Sequence, residues 1–187
     1  MAESKNNVLT HGMTGLVGDM IVFRSRGGKT FVSTKPKART GEPSDNQKQH
    51  QGRFQEAILY GKTAIADHQK KADYAKAITG GETAYNIAVA DFFHAPNIKD
   101  VDVSKYTGKV GETITIRATD DFKVMEVSVA IYNADGTEVE HGLAVLSANG
   151  VDWVYTAIAE NASLDGDRIV ICASDLPGNV TEKEKSL

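Results

Sequence analysis

The chain reads as an α+β protein in three successive parts: an N-terminal β-hairpin arm with a linker (1–43), a three-helix segment (44–96) and a C-terminal antiparallel β-sandwich (97–187). Three observations predict this order. Hydrophobic residues are glycine-punctuated and β-prone in the first part, helically spaced in the second and alternating in the third. Net charge splits near the last change of period, +6 over residues 1–80 and −10 over 81–187, beneath an overall −4. Turn formers are dense in the first and third parts and sparse in the second.

Residues 10–34 open with Gly12, Gly15 and Gly18, followed by two β-prone runs, Met20-Ile-Val-Phe-Arg24 and Thr30-Phe-Val-Ser33, around Gly27-Gly28. That spacing predicts a hairpin. Pro36 and Pro43 bracket an extended, cation-rich linker. Ser44 with Gln47 three residues later is a capping-box signature, and it predicts a helix over about 45–66 with Phe54, Ala57, Ile58, Gly61 and Ile65 on its packed face. Asp67 is the expected N-cap of a second helix reaching about Ile78; Gly80-Gly81 closes it, and Thr83 opens a third through about Phe93.

From Ile98 the period becomes two, with Ile114/Ile116/Ala118, Val127/Val129/Ile131 and Trp153/Tyr155 as inward sets. Turns are expected at Gly108, Asn133–Gly136, Asn149-Gly150, Asp165-Gly166 and Pro177-Gly178. Some seven short strands over this stretch suggest a sandwich of immunoglobulin-like type, with a barrel as the alternative. Trp153 is then a filler between sheets. Cys172, in the apolar run Ile169–Ala173, is expected to pack as a small hydrophobe in the core.

Composition excludes several classes. With 41% hydrophobic residues, 25% charged, four Pro and one Cys in 187 residues, the chain is neither disordered, collagen-like nor a disulfide scaffold. No run approaches the ~18 apolar residues of a membrane span. The first ten residues lack the basic and apolar regions of a secretory signal, so the default expectation is cytoplasmic residence, with export without a cleaved signal left open.

Motif searches return little chemistry. Gly27-Gly28-Lys29-Thr30 imitates the end of a phosphate loop, but Phe23 occupies the position of its first glycine and a strand pattern follows. The five histidines, His11, His50, His68, His94 and His141, form no pair at ligand spacing, and no nucleophile elbow is present. Two constellations remain. Arg24, Arg26, Lys29, Lys35, Lys37 and Arg39 fall within Met20–Gly41, which has no acid; they can dock on an acidic protein surface, bind nucleic acid with Phe23 and Phe31 as stacking partners, or form a solvated face. Asp120, Asp121, Asp165, Asp167 and Asp175 lie in expected sandwich loops, where they are either calcium ligands or turn formers.

The runs Gly15–Arg24, Gly28–Thr30, Lys35-Pro36, Gln47–Phe54 and Ala84–Phe92 resemble a family of uncharacterised Bacteroidetes proteins. Arg117–Phe122 and Ala173–Val180 resemble motifs of bacterial Ig-like domains. The resemblance implies an Ig-like C-terminal part that binds or builds, and it transfers no catalytic residue or cofactor. The leading expectation is therefore a non-enzymatic structural or assembly subunit without a cofactor. It would self-associate as a homo-oligomer or filament, or dock on a protein partner, through the basic arm. The alternatives are a nucleic-acid-binding protein using that arm and a carbohydrate- or calcium-binding Ig-like module.

Overall fold

The computed structural model describes residues 2–4, 8–26, 28–38 and 41–187, the first three by backbone alone. The chain divides into two compact units, Met1–Gln55 with Ile78–Thr83, and Glu56–Ala77 with Ala84–Leu187. No helix among the described residues is long and apolar enough to cross a membrane.

The first unit holds a four-stranded antiparallel sheet of β1 (Ala2–Ser4), β2 (Gly15–Val17), β3 (Ile21–Arg26) and β4 (Lys29–Thr34), in the order β1-β4-β3-β2. The expected hairpin is β3–β4, with Arg26 opposite Lys29 and Gly28 at φ 75°. Strands β2 and β1 widen it on either side. Gly12 and Gly18, at φ 77° and 58°, make the reversals on each side of β2 that β-carbon-bearing residues resist. Gly27 lies outside the described residues. The linker beyond Thr34 carries no regular structure where described.

Helix α1 (Asp45–Ala66) begins at the capping box: the Ser44 amide donates to Gln47 Oε1 at 3.0 Å and the Gln47 amide to Ser44 Oγ at 3.4 Å. Asp67 caps α2 (His68–Lys76) by accepting from the Gln69 and Lys70 amides, and α3 runs Ala84–Asp91. The packed face of α1 is the expected one, except that Phe54 leaves it and Ala64 joins it. Ala57, Gly61 and Ala64 are buried, Ile58 and Ile65 are half-buried and Phe54 is exposed. Contact, not hydrophobicity, sets the face: a β-carbon at Gly61 would lie 2.6 Å from Val89 Cγ2 and 2.9 Å from Tyr85 Cε2, so α3 reaches this turn only because glycine is there.

The second unit also contains the sandwich: β5 (Asn97–Asp102), β6 (Thr113–Thr119), β7 (Val124–Tyr132), β8 (Glu138–Leu143), β9 (Val145–Leu146), β10 (Asp152–Thr156), β11 (Arg168–Asp175) and β12 (Val180–Ser186). One sheet is ordered β5-β6-β10-β9 and the other β12-β11-β7-β8. These are the A-B-E-D and G-F-C-C′ orders of an immunoglobulin-like sandwich, which replaces the barrel alternative. Ile114, Ile116, Val127, Val129, Ile131, Ile169 and Ile171 form the shared core, each fully shielded and each contributing about 1.5–3 kcal/mol. Trp153, opposite Ile116, sits in that core as expected. Cys172 does not. Strand alternation buries Ile171 and Ala173 and turns Cys172 to the opposite face, where it is half-buried and its Sγ lies 3.9 Å from Glu182 Oε2; that carboxylate and desolvation push the thiol pKa up.

Candidate functional site

The basic arm is carried by the first sheet. Register places Arg24 opposite Phe31 and Arg26 opposite Lys29, so these three cations share one face, with Leu16 paired to Val22 further along it. Phe23, opposite Val32, falls on the other face with Ile21 and Val17. Arg24, Arg26, Lys29, Lys35 and Lys37 are all exposed, and Arg39 lies outside the described residues. Lys35 is anchored by Asp19, 2.5 Å away and one residue before the acid-free stretch, so part of the predicted charge is compensated locally.

This sheet buries almost nothing. Thr30, 2% exposed and accepting the Gly12 amide at 3.1 Å, is the one buried residue among the described residues of its unit. Val8, Leu9, Leu16, Val17 and Met20 all stand half or more exposed, Val8 at 92%. A sheet earns its stability from one covered face.

Of the sandwich aspartates, the structure brings Asp120 and Asp175 together and adds Asp91, which the sequence reading missed. Asp91 ends α3, Asp120 follows β6 and Asp175 ends β11; one oxygen from each lies within 4.8 Å of the others. Asp121 pairs with His94 Nδ1 at 2.7 Å. Asp165 and Asp167 stand at the start of β11, a strand length or roughly 25 Å from Asp175. There Asp167 accepts from the Ala134 amide and Asn161 Nδ2, a buried structural role.

Each member of the trio is held by its surroundings. A small cluster of Ala64, Tyr74, Ala84 and Ala88, with Tyr60, Phe122 and Leu176 against it, fixes α1–α3 to the turns after β6 and β11. Tyr74 stacks on Phe122 at 4.4 Å, and its hydroxyl donates to Asp91 Oδ2 at 2.6 Å while 2.8 Å from the Tyr60 hydroxyl. Asp120 Oδ2 accepts from the Phe122 and Lys123 amides. Asp175, re-aimed by a register shift beside Ser174, accepts from the Gly178 and Asn179 amides and from Asn179 Nδ2. Asn179 Nδ2 also donates to the Phe92 and His94 carbonyls at 3.3 Å, satisfying carbonyls left open just past α3.

Burial raises the Asp91 carboxyl to about 7 against the Tyr74 hydrogen bond, helped by the charges of Asp120, Asp175 and Asp121. Burial raises Asp175 as well, partly opposed by its Asn179 hydrogen bonds. Asp91 carried a signal in the sequence: it is the one charge in the otherwise apolar run Ile87–Phe93. Comparison with protein-family models, with curated proteins and with solved structures finds no match for the chain.

Proposed function

We propose that the protein is a non-enzymatic assembly subunit whose N-terminal sheet docks on a second copy of the chain. The observation that carries this reading is a four-stranded sheet with a single buried side chain, Thr30, among the described residues of its unit. Such a sheet lacks the covered face that ordinarily holds strands together, and a neighbouring surface supplies one. Charge selects the neighbour. Arg24 and Arg26 stand exposed on one face of the sheet, where an anionic surface can meet them, and residues 81–187 carry net −10.

Edges add to this. Strand β2 ends its sheet with Leu16 and Val17 exposed, and β9 ends another with Val145 and Leu146 exposed, so each chain offers open apolar edges for strand addition. Nucleic-acid binding has weaker support, because Phe23 and Phe31 fall on opposite faces and only Phe31 shares the face of Arg24, Arg26 and Lys29.

Sedimentation velocity of the full chain tests the proposal. Wild-type protein is expected to associate at low salt and to dissociate as salt screens the charges beyond a Debye length of about 10 Å. The triple reversal Arg24→Glu, Arg26→Glu, Lys29→Glu is expected to weaken association about tenfold or more with unchanged circular dichroism, since all three side chains are exposed. Monomer at every salt and protein concentration contradicts the proposal.

A further inference from the structure

We propose that Asp91, Asp120 and Asp175 form a site for one Ca2+ ion. The three carboxylates come from three separate elements, α3, the turn after β6 and the end of β11, yet place one oxygen each within 4.8 Å of the others. Two oxygens on a common Ca2+ at 2.3–2.6 Å can be at most about 5 Å apart, so this spacing is compatible with shared coordination.

Unpartnered atoms point to a ligand independently of the cluster itself. Asp91 is 3% exposed, and while its Oδ2 accepts from Tyr74, its buried Oδ1 has no hydrogen-bond partner. Asp120 repeats the arrangement: Oδ2 is held by two amides, and the buried Oδ1 has none. A buried carboxylate oxygen without a donor is costly, and a cation held by the trio would partner both. No Lys or Arg among the described residues forms an ion pair with any of the three. Tyr74 restrains the second oxygen of Asp91 and the Phe122 and Lys123 amides that of Asp120, while both oxygens of Asp175 already accept from Gly178 and Asn179, so the trio is oriented before any ion arrives.

The donor set selects the ion. All-oxygen, carboxylate-rich coordination suits hard divalent cations and disfavours zinc or copper. Carboxylates fixed by three separate elements suit the longer, flexible coordination of Ca2+ better than the near-ideal octahedron at 2.0–2.1 Å that Mg2+ demands, and half-buried Asp120 leaves access for the water that completes the shell. Asp120 also lines an open cleft with His94, Lys99, Thr119 and Asp121, so one member of the trio borders solvent.

Isothermal titration of chelator-treated, full-length protein with CaCl2, paired with thermal melts, tests the site. The expected result is one Ca2+ per chain and a melting temperature several degrees higher with Ca2+ than with chelator. Asp91→Asn and Asp120→Asn are each expected to weaken binding at least about tenfold. Asp165→Asn, which alters an exposed acid at the far end of β11, is expected to leave it unchanged. Asp120→Asn keeps an acceptor for the Phe122 and Lys123 amides, so the test survives if Asp91→Asn fails to fold. The absence of both binding heat and a thermal shift on adding Ca2+ overturns the proposal, as does Ca2+ binding that both variants leave intact. Binding of Mg2+ but not Ca2+ overturns the assignment of the ion.

Discussion

Single residues decide how closely the elements approach. Gly61 and Gly52 lie in the same helix but face opposite demands: a β-carbon at Gly61 meets Val89 and Tyr85 below 3.0 Å, whereas one at Gly52 meets nothing within 4 Å. Gly61→Ala is therefore expected to destabilise by about 1 kcal/mol, overpacking outweighing the gain in helix propensity. Gly52→Ala is expected to stabilise by roughly 0.5–1 kcal/mol, and thermal melts of the two variants should move in opposite directions. Glu112 supplies a second test at this scale. Its carboxylate accepts from the Thr107 amide and hydroxyl and from the Lys109 amide, which hold it below the usual glutamate range. A group depressed in the folded state stabilises above its unfolded pKa and loses that contribution as pH falls through the folded one. An NMR titration should find Glu112 protonating below the usual glutamate range, with the Thr107 amide shift following it.

At the scale of elements, the sandwich rests on interdigitated strands and the helices on small residues. Trp153→Ala removes the largest side chain from the sheet-to-sheet core, beside Ile116 and Leu146 in register, and is expected to cost about 3–5 kcal/mol in chemical denaturation. What the sequence made legible was local. The Ser44/Gln47 box, the Asp67 cap, the β3–β4 hairpin and the alternation through Ile114–Ala118 and Val127–Ile131 all lie within a few residues of their cause, and each appears where expected. What stayed hidden was non-local. The pairing of β1 with β4 joins residues some thirty positions apart, and no pattern at either end announces it. The closeness of α3 to α1 depended on contact at Gly61, and the face of Cys172 on which alternate residue points inward. The carboxylate trio was half legible. Asp120 and Asp175 follow strands whose ends meet in an immunoglobulin-like sandwich, but Asp91 arrives from a helix, and its position depends on Tyr74 and Phe122 packing between the two.

Across the whole molecule the two units differ in what holds them. The second has a continuous core running between two sheets, with a smaller cluster joining its helices to the strand ends. The first has hydrogen-bonded strands and Thr30, with Val22, Phe23, Phe31 and Val32 only half-buried and the other described apolar side chains of its strands exposed. Stability drawn from burial is therefore concentrated in the second unit, and the first depends on what it meets. The most direct measurement of that claim is hydrogen exchange of the β3 and β4 amides as a function of protein concentration and salt. At low concentration these amides should exchange far faster than those of β7 and β11, and at low salt their protection should rise with concentration and fall again when salt is added. Protection of β3 and β4 that is independent of both concentration and salt would contradict an N-terminal sheet completed by a second copy of the chain.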